Sequence, residues 1–142
     1  MSAYADTSFL VSLYLFDVHS EAASARMKRA DLPLPLTPLA EFELLNAIWL
    51  RVFRRDIPAS EAKAAQALVQ RDIEDGVWVR KPMPAIVYER AMQMARRRTP
   101  HLGTRAFDVL HVAAALLLRA DVFYTFDRTQ GLLAKAEGLT VL

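Results

Sequence analysis

The sequence predicts an α/β fold in which a short parallel sheet is covered by helices on both faces. Three observations carry that expectation. Short apolar runs alternate with helix-like segments along the chain. The segments between those runs read as helical crossovers, the connection that parallel strands require. Hydrophobic residues make up 54% of the chain and charged ones 24%, with only 4 Gly and 7 Pro, which is the composition of a packed core and not of a disordered or fibrous chain. At 142 residues the chain is expected to form one domain, residues 1–142.

Taken in order, Tyr4 to Asp6 reads as a very short strand that hands over directly to an apolar helix-like segment, Ser8 to Phe16. Ser20 has the side chain of an N-cap for a helix through about Ala30. Pro33, Pro35 and Pro38 bracket an extended piece, Leu34 to Leu36, and Pro38 suits the first turn of a helix to about Arg54. Pro58 opens a further helix that stops near Gly76, a residue fitted to a C-cap. Val77 to Val79 is the next strand, and Pro84 begins a helix expected to run out at Arg96, Arg97 and Arg98. Gly103 and Thr104 precede a helix from Arg105 to Arg119. Val122 to Thr125 is strand, Arg128 to Glu137 helix, and Gly138 leads to a last strand, Leu139 to Val141. No internal repeat, low-complexity tract or linker interrupts this order.

Several classes of function are excluded. With no cysteine the chain has no disulfides, thiolate metal sites or cysteine nucleophile. Its longest unbroken apolar run, Val112 to Leu118, falls far short of the roughly 20 residues of a membrane span. The opening MSAYADTSFL has no basic region ahead of its apolar residues, so it does not read as a signal peptide, and a cytoplasmic protein is expected. A net charge of +2 and a pI near 9.1 are compatible with an anionic partner without establishing one.

In an open α/β sheet the ligand crevice lies beyond the carboxyl ends of the strands. Asp6, in YADTS, and Asp127, in YTFDRTQ, both stand there. Taken alone, each reads first as a helix cap. Asp108 sits in a helix whose other residues, among them Phe107, Val109, Leu110, Val112, Ala113, Leu116 and Leu117, leave little solvated face, so its carboxylate is expected to be desolvated. A positive group should stand beside it, either as an internal pair with His111 or Arg105 or as a bound cation. Glu43 has Ala40, Ala47 and Leu50 as same-face neighbours, which leaves room around it; a solvated surface residue is the other reading. Glu41 lies on a different flank, and Phe42, Leu45, Trp49 and Val52 read as core contacts.

A doubly covered parallel sheet can bring these four acids to one edge. Like charges within a few Å cannot all ionise unless a cation neutralises them. With carboxylates as donors, no Cys and His111 the only nearby imidazole, that cation is expected to be a hard ion, Mg²⁺ or Mn²⁺, in preference to Zn²⁺.

The set YADTSFLVSLY, TPLAEFELLNAI, TRAFDVLHVAAALLL and VFYTFDRTQGLLAKAEGL, in this order and spacing, resembles the PIN domain, in particular the VapC-like ribonuclease toxins of bacterial toxin–antitoxin pairs. The resemblance covers nearly the whole chain. It implies a three-layer α/β/α sandwich with a short, mainly parallel central sheet. It also implies hydrolysis of RNA phosphodiester bonds with Mg²⁺ or Mn²⁺, the acids being Asp6, Glu43, Asp108 and Asp127. Glu43 is chosen over Glu41 on the pattern ELLNA. Thr7 or Ser8 and Thr125 stand where such proteins offer hydroxyls. As implied partners come an RNA substrate, a small antitoxin whose tail covers the acidic pocket, and a second copy of the chain in a homodimer.

Phosphate contacts would come from Arg96, Arg97, Arg98, His101 and Arg105, on the approach to Asp108; the other reading of that cluster is a solvated basic helix end. Arg51, Arg54 and Arg55 carry the same two readings. The rival functions are a PIN fold without turnover, acting as an RNA-binding or interaction module, and a stand-alone nuclease. A phosphoaspartate phosphatase would need a second Asp where Ser8 stands, and a signalling receiver would need an acidic pair at the first strand end and a late lysine after a strand.

Overall fold

The computed structural model describes all 142 residues. In chain order the elements are β1 (Ala3–Ala5), α1 (Thr7–Tyr14), α2 (Ser20–Met27), β2 (Leu34–Leu36), α3 (Pro38–Phe53), α4 (Ala59–Glu74), β3 (Trp78–Arg80), α5 (Val87–Leu102), α6 (Ala106–Leu117), β4 (Val122–Tyr124), α7 (Arg128–Ala136) and β5 (Thr140–Val141). All strand pairings are parallel. β4 lies between β1 and β5, with Ala3, Tyr4 and Ala5 opposite Val122, Phe123 and Tyr124, and β2 pairs with β3. The single covered sheet expected from the sequence is thus two hydrogen-bonded pieces, with β1 and β2 side by side between them.

The two-residue period of the strands builds the three layers. On β1, Ala3 and Ala5 pack into one cluster with residues of α1, α2, α3 and α4, while Tyr4 packs into another with residues of α5, α6 and α7. β4 divides the same way: Val122 and Tyr124 face the first cluster and Phe123 the second. A strand buried on both faces reads as a continuous apolar run, which is what AYA and VFY are. The fold is a three-layer α/β/α sandwich.

Three local expectations need correction. The helix carrying the arginine triplet continues to Leu102 and is capped by Gly103 at φ 64°, so Arg96, Arg97 and Arg98 are interior to α5 and not at its end. Pro100 sits in the last turn, where a helix tolerates it better than in its middle. Ser20 is not the N-cap of α2; its hydroxyl accepts from Asp17 N–H at 2.9 Å and donates to the Leu15 carbonyl at 3.0 Å, tying the preceding loop, while His19 occupies the cap position. On α3 the buried stripe is Ala40, Leu44 and Ile48, which leaves Phe42 64% exposed and Leu45 also exposed instead of in the core. Trp49 and Val52 pack partly against the first cluster.

Candidate active site

Asp6 and Asp127 leave adjacent parallel strands at the same edge. The Asp6 amide donates to the Tyr124 carbonyl at 3.0 Å, continuing the β1–β4 pairing by one residue. Both aspartates do cap helices: Asp6 Oδ1 accepts from Phe9 N–H at 2.9 Å and Asp127 Oδ1 from Gln130 N–H at 2.8 Å. Capping engages one oxygen of each and leaves the other for different work.

Thr125 joins the two. Its hydroxyl donates to Asp6 Oδ2 and accepts from the Asp127 amide at 2.9 Å. Ser8 adds a second tie, donating to Asp6 Oδ1 at 2.7 Å and accepting from Phe126 N–H at 2.9 Å. Asp6 itself is fully buried. Burial pushes its carboxyl pKa up, against the downward pull of the Thr125, Ser8 and Phe9 donors. Asp127 is exposed, and its Oδ2 makes no hydrogen bond.

Asp108 lies in the first turn of α6, half-buried. Its carboxyl pKa is raised, first by burial and then by the charge of Asp127, with Glu43 adding a smaller push in the same direction. The internal partner that the sequence reading held open is not formed: His111 turns both ring nitrogens elsewhere, and Arg105 enters no ion pair.

Glu43 projects from α3 toward α1 and α6. Its Oε1 accepts from the Thr7 hydroxyl at 2.8 Å and contacts His111 Nε2. Burial pushes its pKa up, but the His111 and Thr7 contacts outweigh this and hold the carboxyl below its ordinary value. His111, 1% exposed, contacts the Tyr4 hydroxyl through Nδ1 at 2.7 Å, and that hydroxyl lies 3.3 Å from Thr37 Oγ1. Sequence reasoning gives Tyr4 and Thr37 no part in this. Thr37 is detectable as an N-cap ahead of Pro38, but nothing in a strand tyrosine signals a buried hydrogen-bond partner.

The donor set fits a hard divalent ion in kind. Every candidate is a carboxylate oxygen, and the charge of Asp127 disfavours that of Asp108 with no cationic side chain paired to either. No three acid or imidazole side chains are drawn together as a ready ligand group. A closed protein cage is not required for Mg²⁺, which keeps several waters and takes one or two carboxylates beside substrate phosphates.

The basic residues separate into two kinds. Arg97 and Arg98 each reach Glu137 at 2.9 Å, and Arg98 also donates to the Ala136 carbonyl, so both pin α5 to the end of α7. Arg105 is exposed at the N-cap of α6, one turn before Asp108, with no such partner. Next to Asp127 a shallow cleft of about 280 Å³ is lined by Thr125, Arg128 and Lys135 among others.

Fold and strand ends together define a class: a three-layer α/β/α domain with Asp6 and Asp127 at the C-terminal ends of adjacent parallel strands. The PIN domain family model matches residues 3–136, and the chain belongs to that family. Among solved structures it is similar to VapC20 of Mycobacterium tuberculosis, a sarcin-ricin loop cleaving toxin, at 19% identity and a TM-score of 0.72 over 97% of both chains. It is also similar to PAE2754 of Pyrobaculum aerophilum, at 20% identity and a TM-score of 0.64 over 99% of this chain and 89% of the other. No curated protein matches the chain in sequence.

Proposed function

We propose that this chain is a Mg²⁺- or Mn²⁺-dependent ribonuclease that hydrolyses phosphodiester bonds in RNA. The observation that carries the proposal is the charge of Asp127, at the end of β4, acting on the half-buried carboxyl of Asp108, with no cationic side chain in an ion pair with either.

When bound, a divalent ion supplies polarisation of a phosphoryl oxygen and a water of lowered pKa. Asp127 Oδ2 and the Asp108 carboxylate are the oxygens best placed to hold it. Asp6, whose two oxygens already take Ser8, Phe9 and Thr125 donors, would hold the ion directly or through water. Glu43 Oε2, which makes no hydrogen bond, would orient the attacking water or join the ligands. Thr7, Ser8 and Thr125 hold these carboxylates in place, and Arg105 attracts the RNA backbone.

The likeness to VapC20 across 97% of both chains supports a toxin of the VapBC type. On that reading the chain is a single PIN domain, residues 1–142, acting in the cytoplasm, neutralised by a small antitoxin and paired with a second copy of itself. No helix is long and apolar enough to cross a membrane.

The test is cleavage of total cellular RNA by the purified protein. Products should appear with Mg²⁺ or Mn²⁺ and vanish in EDTA, and the Asp6→Asn and Asp108→Asn variants should fold but not cleave. Undiminished cleavage in EDTA or in either variant defeats the assignment. Specific binding of RNA by the wild type with no cleavage under any metal favours the turnover-free module instead.

A further inference from the structure

We infer that His111 is a positioning residue, neither ligand nor general base: it carries its proton on Nε2, donates it to Glu43 Oε1, and is held in that tautomer by the buried hydroxyl of Tyr4. The inference deepens the ribonuclease reading and rests on it for its kinetic arm only.

Hydrogen-bond direction around the ring decides the tautomer. Nε2 faces Glu43 Oε1, and an ionised carboxylate only accepts, so Nε2 must donate. In the neutral ring Nδ1 is then the acceptor, and the group facing it, the Tyr4 hydroxyl at 2.7 Å, must donate. Tyr4 is fully buried, and burial pushes its phenol pKa well up, so the proton stays on the oxygen.

With its O–H directed at Nδ1, the Tyr4 oxygen is free to accept from Thr37 Oγ1 at 3.3 Å, and Thr37 Oγ1 in turn accepts from the Ala40 amide at 3.2 Å. Every buried member is satisfied by one consistent orientation. Reversing the ring would set the Nε2 lone pair against Glu43 Oε1, acceptor against acceptor.

The frame around the relay is closely packed. The Tyr4 ring stacks on Phe123 at 5.6 Å and 8°, and His111 lies in the stretch of α6 buried on all sides, Val109 to Ala115. Thr37 caps α3, the helix that carries Glu43, and Thr7 starts α1. The relay therefore fixes Glu43 relative to β1, α1 and α6 at once.

Its effect on Glu43 is one-sided. His111 and Thr7 both engage Oε1, and Oε2 is left without a protein partner. The outcome is a carboxylate with one oxygen tethered and the other without a protein partner. The nitrogen of His111 that has a lone pair faces Tyr4 inside the protein, so the ring offers a metal nothing to bind.

The experiment is ¹⁵N NMR of the metal-free wild-type protein labelled at its three histidines, with Tyr4→Phe, His111→Gln and His111→Asn as variants. The His111 signals should be those of an Nε2–H ring hydrogen-bonded through both nitrogens, and Tyr4→Phe should perturb Nδ1 more than Nε2. A ring with its proton on Nδ1 overturns the inference whether or not the protein cleaves RNA.

In the kinetic arm, His111→Gln keeps an N–H near the Nε2 position and should retain most of kcat. His111→Asn keeps only the Tyr4 side and should lose about 10–100-fold in kcat, the usual cost of removing a group that orients a metal-site carboxylate, with KM little changed. Wild-type kcat in a folded His111→Asn protein overturns the positioning role. Absence of cleavage in the wild type sinks the ribonuclease reading and leaves the tautomer result standing.

Discussion

The carboxyl group of Asp108 on α6 stands within electrostatic reach of Asp127 at the end of β4, and after burial that neighbour is the largest force disfavouring its charge. The ion-free fold therefore carries a penalty at the edge where the proposed chemistry takes place.

Asp108→Asn should accordingly stabilise the ion-free protein while abolishing cleavage. The pH dependence follows from the sign. A carboxyl pKa raised in the folded state makes folding more favourable below the ordinary carboxylate range, and this advantage is lost as pH rises through the raised value. The gap in Tm between the variant and the wild type should thus be widest at neutral pH and close on acidification, as read by thermal melts in EDTA at several pH values.

Mn²⁺ should act in the opposite direction on the wild type. Saturation at about 100 times Kd adds roughly 2.7 kcal/mol, some 8–11 °C in a chain of this size at about 3–4 °C per kcal/mol. Asp108→Asn should show a much smaller shift. An equal shift in both proteins places the ion elsewhere.

Thr125 is the hinge of the two strand-end acids, since one hydroxyl serves Asp6 and receives the Asp127 amide. Thr125→Val keeps the shape and removes both bonds, at a cost of about 1–3 kcal/mol for the polar groups left short of a partner. Thr125→Ser should recover most of it. Urea denaturation of the three proteins measures the difference.

The arginines should divide by partner. Arg97→Gln and Arg98→Gln break contacts to Glu137, whose side chain is only 8% exposed, and should lower stability by about 1 kcal/mol each while leaving KM for RNA unchanged. Arg105→Gln should leave stability within about 0.5 kcal/mol of the wild type and raise KM severalfold. The two measurements are urea melts and steady-state cleavage.

Much of the fold was legible because its signals are local. Leu34–Leu36 lies between prolines that leave it only an extended path, and AYA and VFY are apolar throughout because both faces of those strands are covered. The end of α5 was not legible: three arginines followed by Thr-Pro read as a stop, yet Arg97 and Arg98 find Glu137 on another helix, a partnership of long sequence separation that no local pattern encodes. Phe42 failed for the opposite reason, since a large apolar side chain was read as core while the stripe that meets the sheet is Ala40, Leu44 and Ile48.

At the candidate site the sequence offered Asp6 and Asp127 as caps or as ligands, and the structure places each as a cap with one oxygen while Thr125 links the pair. What it could not offer was the partner of Glu43. The nearest acid to His111 along the helix is Asp108, and only side chains reaching in from α3 and β1, remote in sequence, pair its ring with Glu43 and Tyr4 instead.

Anomalous diffraction at the manganese edge, from crystals of the wild-type protein soaked in Mn²⁺, tests the central claim most directly. The predicted result is a peak in contact with Asp108 and Asp127, and its loss in Asp108→Asn crystals. No peak at Asp108 and Asp127 in the wild type while Mn²⁺ binds at other carboxylates, or a peak undiminished in the variant, would contradict it.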